Sequence, residues 1–104
     1  VDIRANSRTY KQWGAIYLSE ENKKQLWVPP GFAHGFLSMG NKTKVCYKVS
    51  DFWNKKSERS LIWNDIDIKI QWPLESINLA KPYISEKDSQ AFSLKKSEDN
   101  GDIF

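Results

Sequence analysis

The chain is poor in the residues that build cross-links and metal centres: its 104 residues include one cysteine, one methionine and one histidine. A single cysteine, Cys46, excludes a disulfide within the chain and a cysteine-rich zinc site. A single histidine, His34, argues against a metal site of two or three histidines with a carboxylate. No apolar run is long enough to cross a membrane, and no segment has the pattern of a secretory signal. We therefore expect a cytoplasmic protein with no membrane partner.

Neither positive nor negative charge is concentrated in one part of the chain. The chain has 16 Lys and Arg against 13 Asp and Glu, a net charge of +3, and the two signs are interspersed. The absence of a basic stripe makes this excess weak support for nucleic-acid binding, and it fits a small anionic ligand equally well. We expect no nucleic-acid partner.

Aromatic residues are abundant, at 13% of the chain, and they fall in short segments that look like strands. Turn signals such as Pro29-Pro30-Gly31 and Gly40-Asn41-Lys42 separate these segments. Short, partly alternating strands with such punctuation predict an antiparallel sandwich or barrel. Ser85 is placed to cap a short helix near the C-terminus, and the charged residues 95–104 are predicted to form a disordered tail. The predicted strands are Gln12 to Leu18, Gln25 to Val28, His34 to Met39 and Thr43 to Val49.

The stretch from Val28 to Phe36 carries the only histidine, delivered after a Pro-Pro-Gly turn. Tyr47 follows thirteen residues later, in a segment that also reads as a strand. Two neighbouring strands could direct the imidazole of His34 and the phenol of Tyr47 into one cavity. Such a pair favours proton transfer on an organic substrate. The plainer alternative is that His34 is a hydrogen-bonded core residue and that Tyr47 buries its ring in a sheet.

Taken in order, these motifs resemble the C-terminal portion of the dTDP-4-dehydrorhamnose 3,5-epimerases. The matching blocks extend over nearly the whole chain, and their order makes the resemblance specific. They are Val1-Asp2-Ile3-Arg4, Leu18 to Lys23, Gln25 to Pro29, Gly31 to Phe36, Tyr47-Lys48, Glu58, Trp63-Asn64-Asp65, Trp72-Pro73 and Ser85 to Asp88.

The resemblance implies an all-β, cupin-type jelly-roll β-barrel, incomplete here and covering residues 1–94, with a short C-terminal helix and a disordered tail. It implies a homodimer that needs no metal and no organic cofactor. The reaction implied is epimerisation of dTDP-4-dehydro-6-deoxy-D-glucose at C3 and C5, giving dTDP-4-dehydro-L-rhamnose. Epimerisation at only one of these carbons is an alternative that the sequence leaves open.

Six residues match functional positions of that family. The resemblance makes Tyr47 the acid that returns a proton to the enolate, and Asp88 the carboxylate that orients the catalytic histidine. It makes four further residues substrate-binding: His34, Trp53 (stacking on the thymine), Glu58 and Lys87. Without the resemblance, Glu58 and Lys87 would be read as solvated surface charges.

The family's general base is a histidine in an Arg-Gly-Leu-His segment, and this sequence does not contain that segment. His34 matches a different position. We therefore expect the chain alone to be inactive. An incomplete barrel leaves open strand edges and an uncovered apolar face, so we also expect the chain to associate with itself or with a partner. The competing hypothesis is a non-catalytic truncated cupin that binds a nucleotide sugar or serves as an oligomerisation partner.

Overall fold

The regular secondary structure of this chain is confined to four short helical segments. The computed structural model describes all residues from 1 to 104. Two segments are α-helices, α1 (Glu86–Ser89) and α2 (Leu94–Asp99). Two are single 3-10 turns, Lys55–Ser57 and Leu74–Ile77. None of these helices has the length and apolarity needed to cross a membrane.

The prediction of an all-β jelly roll is wrong for this structure, which contains no β-strand. Pairing is limited to two isolated bridges, an antiparallel one between Asp2 and Phe32 and a parallel one between Leu61 and Phe92. A strand exists only where its backbone bonds to a neighbour. Residues 34–53, which contain two of the predicted strands, make no backbone-to-backbone hydrogen bond. The local sequence pattern is present, but its bonding partners are not found within the chain.

The core is small and is assembled from distant parts of the sequence. Its fully packed apolar members are Ile3, Ile68 and Leu94, and Leu94 is completely inaccessible to water. They bring together the first residues of the chain, the segment after residue 60 and the start of α2. Partly buried residues pack around them, namely Val1, Trp13, Ala33, Leu61, Ile70 and Ile103.

A buried carboxylate, Asp65, joins two of these parts. Its Oδ1 accepts from the backbone N–H groups of Asp67 and Ile68, at 2.9 and 3.0 Å, which closes the turn that follows it. Its Oδ2 accepts from the N–H of Leu94 at 2.7 Å. The first N–H groups of a helix lack partners inside the helix, so Asp65 both satisfies one of them and fixes the position of α2.

A second buried carboxylate, Asp2, organises the N-terminal loop. It accepts from the Arg4 guanidinium at 2.8 and 2.9 Å and from the hydroxyls of Ser7 and Thr9 at 2.5 and 2.6 Å. These bonds, that of Arg4 above all, hold the pKa of Asp2 well below its usual range. Gly31 packs against this loop with φ of +85°, and a Cβ there would lie 2.6 Å from the Arg4 side chain. Only glycine suits both the conformation and the space.

The disordered tail included in the fold prediction is also corrected. Ser93 caps α2 by accepting from the N–H of Lys96, and Ser97 is buried. The N–H of Phe104 donates to the carbonyl of Ile3 at 3.1 Å. Charge content alone led to the prediction of disorder, but Leu94 and the backbone of Phe104 dock this segment on the core.

The outer face of α2 contacts the N-terminal loop through Glu98. Its carboxylate accepts from the Tyr10 hydroxyl at 2.5 Å and pairs with the Lys11 ammonium at 3.0 Å. Burial and the bond to Glu98 raise the pKa of Tyr10 to about 12. The Tyr10 hydroxyl lowers the pKa of Glu98 in return. Tyr10 therefore acts as a neutral donor at ordinary pH.

Candidate functional site

Two of the predicted substrate-binding residues, Glu58 and Lys87, meet in the structure although 29 positions separate them. The Lys87 ammonium donates to Glu58 Oε1. Glu58 follows the 3-10 turn Lys55–Ser57, where the Asn54 side chain accepts from the N–H of Lys56. Lys87 lies in α1, which Ser85 caps. Each residue is thus presented by a short capped turn.

The pair is held in place because the segment after Glu58 runs beside the segment after Lys87. The N–H of Ile62 donates to the carbonyl of Phe92 at 2.9 Å, next to the bridge between Leu61 and Phe92. Asp65 then bonds to the N–H of Leu94. These contacts anchor the Glu58–Lys87 pair to the small core.

The Glu58–Lys87 pair borders a groove of about 500 Å³ that is lined mostly by polar and charged residues. The Arg59 guanidinium is fixed there by Asp102 at 2.5 Å and by the carbonyl of Lys56 at 2.8 Å. Both cations of the groove are thus paired with carboxylates, Arg59 with Asp102 and Lys87 with Glu58. The groove is lined by Glu58, Arg59, Ser60, Glu86, Lys87, Gln90, Ala91, Phe92, Ser97 and Asp102.

A second groove, of about 680 Å³, is also lined by Glu58 and contains Trp53. The Trp53 indole is 71% exposed, and its neighbour Phe52 is 97% exposed. Exposed aromatic faces of this kind can stack on a planar ring. Glu58 lines both grooves, so Trp53, Glu58 and Lys87 lie along one continuous surface.

The structure does not bring His34 or Tyr47 to this surface. Neither residue lines either groove. Both are exposed, and the Tyr47 side chain is 80% accessible to water. In this chain the two residues are therefore not assembled with Trp53, Glu58 and Lys87 into one proton-transfer site.

Asp88, predicted to orient a catalytic histidine, lies in α1 and bonds to its cap, Ser85. The Ser85 hydroxyl accepts from the N–H of Asp88 at 3.1 Å and donates to its Oδ2 at 2.8 Å. This reciprocal arrangement resembles a capping box. It fixes the turn that carries Lys87, which immediately precedes Asp88.

Sequence reasoning missed several groove residues, notably Arg59, Glu86 and Asp102. Arg59 and Glu86 are sequence neighbours of Glu58 and Lys87, the residues that the sequence analysis singled out. Their positions next to those residues could have identified them. Asp102 lies in the segment predicted to be disordered, and nothing in the local sequence marks it. Chemically, the assembled groove can bind and orient a polar ligand, but it holds no imidazole or phenol to move a proton.

Comparison with known proteins identifies a family for this chain. The sequence model of the dTDP-4-dehydrorhamnose 3,5-epimerase family matches residues 1–96. A dTDP-4-dehydrorhamnose 3,5-epimerase of Pseudomonas aeruginosa is 47% identical over 86% of this chain and 48% of its own length. That of Shigella flexneri is 43% identical over 85% of this chain and 46% of its own length.

The dTDP-4-dehydrorhamnose 3,5-epimerase of Methanothermobacter thermautotrophicus is 42% identical, again over 85% of this chain and 46% of its own length. The chain therefore spans about half the length of the curated relatives it matches. No solved structure matches it significantly. On the strength of the match over residues 1–96, the chain belongs to the dTDP-4-dehydrorhamnose 3,5-epimerase family.

Proposed function

We propose that this chain supplies the substrate-holding part of a sugar-nucleotide epimerase of dTDP-L-rhamnose biosynthesis. The reaction would convert dTDP-4-dehydro-6-deoxy-D-glucose to dTDP-4-dehydro-L-rhamnose. The observation that carries the proposal is the continuous surface of Trp53, Glu58 and Lys87. The family resemblance implies that all three residues bind substrate, and two contacts support this: Glu58 bonds to Lys87 and lines the same groove as Trp53.

The chemistry assigns different tasks to these groups. A phosphorylated nucleotide needs a planar partner for its base and cations for its phosphates, which Trp53, Arg59 and Lys87 would provide. The sugar ketone acidifies the neighbouring C–H bonds, and a base must remove those protons while the enolate oxygen is stabilised. Tyr47 would return the proton from the opposite face, and His34 would contact the sugar.

We further propose that the 104-residue chain alone does not turn over substrate. Its only histidine, His34, matches a substrate-contacting position of the family and lies outside both grooves. Asp88, which would support an imidazolium, instead bonds to Ser85. The chain alone would then bind a nucleotide sugar without reacting it, which is the second candidate function. The homodimer, the cytoplasmic location and epimerisation at both carbons rather than one stay predictions.

Proton exchange separates binding from turnover. The chain is incubated with dTDP-4-dehydro-6-deoxy-D-glucose in D₂O, and the C3 and C5 protons and the thymine signals are followed by NMR. We expect broadened thymine signals and no loss of the C3 or C5 protons beyond a control without protein. Exchange above that control would contradict the inactivity of the isolated chain, and unperturbed thymine signals would contradict the binding proposal.

A pair of lysine variants identifies the surface that binds. Lys87→Met removes the ammonium that lines the groove, whereas Lys81→Met removes an exposed ammonium outside it. We expect the first variant to lower the affinity for the nucleotide sugar, measured from the thymine broadening, about tenfold, because a charge-assisted contact is lost. We expect the second variant to leave that affinity unchanged. Equal effects of both variants would place the nucleotide elsewhere.

A further inference from the structure

The two cations that line the groove of the Glu58–Lys87 pair are already neutralised within the chain. Arg59 is paired with Asp102, and Lys87 is paired with Glu58. With Glu86, the groove has three carboxylates against two cations, so its wall carries a formal charge of −1. A phosphorylated ligand is itself negative, so it must compete with a carboxylate of the chain for either cation.

The end of α2 holds the Asp102 carboxylate against Arg59. The N–H of Asp102 donates to the carbonyl of Ser97 at 2.8 Å, and the N–H of Gly101 donates to that of Glu98 at 3.0 Å. These two bonds, with Gly101 in the left-handed region at φ of +72°, form a Schellman motif. Because α2 is itself fixed to the core, the fold sets the position of Asp102.

The Arg59 guanidinium is oriented so that only one of its edges remains for a phosphate. Its Nη1 donates to the backbone carbonyls of Lys56 and Glu58, at 2.8 and 3.1 Å. The two-point contact between a guanidinium and a phosphate needs two neighbouring nitrogens, which here are Nε and Nη2. Asp102 Oδ1 accepts from Nε at 2.5 Å. A phosphate can therefore bind Arg59 at two points only by displacing the Asp102 carboxylate.

The Arg59–Asp102 pair differs from the Glu58–Lys87 pair in two respects. The Asp102 side chain is 19% exposed, against 38% for Glu58, so water screens its charge less. Asp102 also lies outside residues 1–96, which match the epimerase family, and the resemblance gives it no part in substrate binding. The effect of Asp102 on an anionic ligand is therefore competition for Arg59.

We propose that Asp102 is a built-in competitor that lowers the affinity of the groove for phosphate groups. It occupies the one edge of Arg59 that a phosphate would use, and a ligand binds there by taking its place. Asp102 thereby sets the affinity at which the groove holds and releases a phosphorylated ligand. This inference rests on the proposed function in that it concerns the same groove.

Calorimetric titration with inorganic pyrophosphate, which has no base to stack, tests the competition. Asp102→Asn removes the charge but keeps the size of the side chain and the backbone bond to Ser97. Asp99→Asn removes an exposed carboxylate of α2 that does not line the groove, and is the matched control. We expect Asp102→Asn to raise the affinity about fivefold, as removal of a partly screened charge pair does, and Asp99→Asn to leave it unchanged. Equal behaviour of the two variants, absence of binding included, would overturn the proposal.

A double variant separates competition at Arg59 from general repulsion. In Arg59→Gln/Asp102→Asn, the guanidinium for which Asp102 competes is absent. We expect this protein to bind pyrophosphate no better than Arg59→Gln alone. A gain that persists without Arg59 would show that Asp102 acts by repelling anions from a distance, which would contradict the proposal.

An NMR titration of the unaltered chain makes the test independent of any variant. The Nε–H signal of Arg59 reports its contact with Asp102, and we expect it to shift together with the amides of the groove as pyrophosphate is added. An unchanged Nε–H signal while the amides of Ser60 and Gln90 respond would contradict displacement of the carboxylate. The proposed function is judged separately, since it fails if the unaltered chain does not bind dTDP-4-dehydro-6-deoxy-D-glucose, whatever the variants do with pyrophosphate.

Discussion

The two ends of this chain and its middle both contain apolar side chains, but the surroundings of those side chains differ. Residues 1–13 and 61–104, here called the packed region, contain Leu94, Ile68 and the two saturated carboxylates Asp2 and Asp65. Residues 14–60, here called the exposed region, contain only one buried residue, Gly31. Apolar side chains are present in both. The difference teaches that burial in this chain depends on whether a segment finds a partner, not on how hydrophobic it is.

The largest loss of unfolding free energy is expected from a substitution in the packed region at Leu94, the most deeply buried side chain. Leu94→Ala removes a fully packed side chain and leaves a cavity, which costs about 2–5 kcal/mol of unfolding free energy. Leu26→Ala, in the exposed region, is the matched control and should change stability by less than about 0.5 kcal/mol. Urea denaturation of both variants measures the difference. Equal losses would mean that the two regions are packed alike.

The next largest loss of unfolding free energy is expected from a substitution at Asp65. Asp65→Ala leaves the N–H groups of Asp67, Ile68 and Leu94 without their acceptor, at a cost of about 3 kcal/mol. Asp67→Ala removes an exposed carboxylate two positions away and should be nearly neutral. The same denaturation series compares them. A neutral Asp65→Ala would show that α2 is positioned by apolar packing alone.

Asp2 makes the packed region sensitive to acid. Because its bonds to Arg4, Ser7 and Thr9 lower its pKa in the folded chain, its contribution is fully present above about pH 4, the ordinary pKa of Asp. That contribution is lost as the pH falls toward the folded value, since the carboxylate must then be protonated. Asp2→Asn should flatten the decline of unfolding free energy below pH 4. Asp51→Asn, which removes one exposed carboxylate, should preserve the decline; identical slopes would contradict this account.

The smallest effect is expected where the two regions meet, at the Glu58–Lys87 pair. Both side chains are partly exposed, so water screens the pair and its coupling energy should be below about 1 kcal/mol. A double-mutant cycle with Glu58→Gln and Lys87→Met measures it by urea denaturation. A coupling above about 2 kcal/mol would show that the pair acts as a buried structural bridge rather than as an accessible site.

Local signals in the sequence predicted some of the structure. The cap at Ser85 and the short helix after it are present, because capping depends on residues a few positions apart. Val45, Tyr47 and Val49 carry a real strand-like alternation, but a strand also needs a bonded neighbour, and that depends on distant sequence. The prediction of an all-β fold was therefore wrong, although the local alternation on which it was based is present in the sequence.

The candidate site, too, could be predicted only in part from the sequence. Glu58 and Lys87 were singled out through the family resemblance, and the structure brings them together across 29 positions. The contribution of Asp102 could not be predicted, since its place in the groove depends on the docking of α2 and on its ion pair with Arg59. The roles proposed for His34, Tyr47 and Asp88 depend on groups outside the groove and stay predictions.

The most direct test of the contrast between the two regions is amide hydrogen exchange on the chain alone, at low concentration and without ligand. The account predicts measurable protection at the amides of Ile68, Leu94 and Ser97, which are bonded and buried. It predicts exchange close to that of an unfolded peptide throughout residues 34–53. Strong protection across residues 34–53 in the monomeric chain would contradict it, because that segment would then have found its partner within the chain.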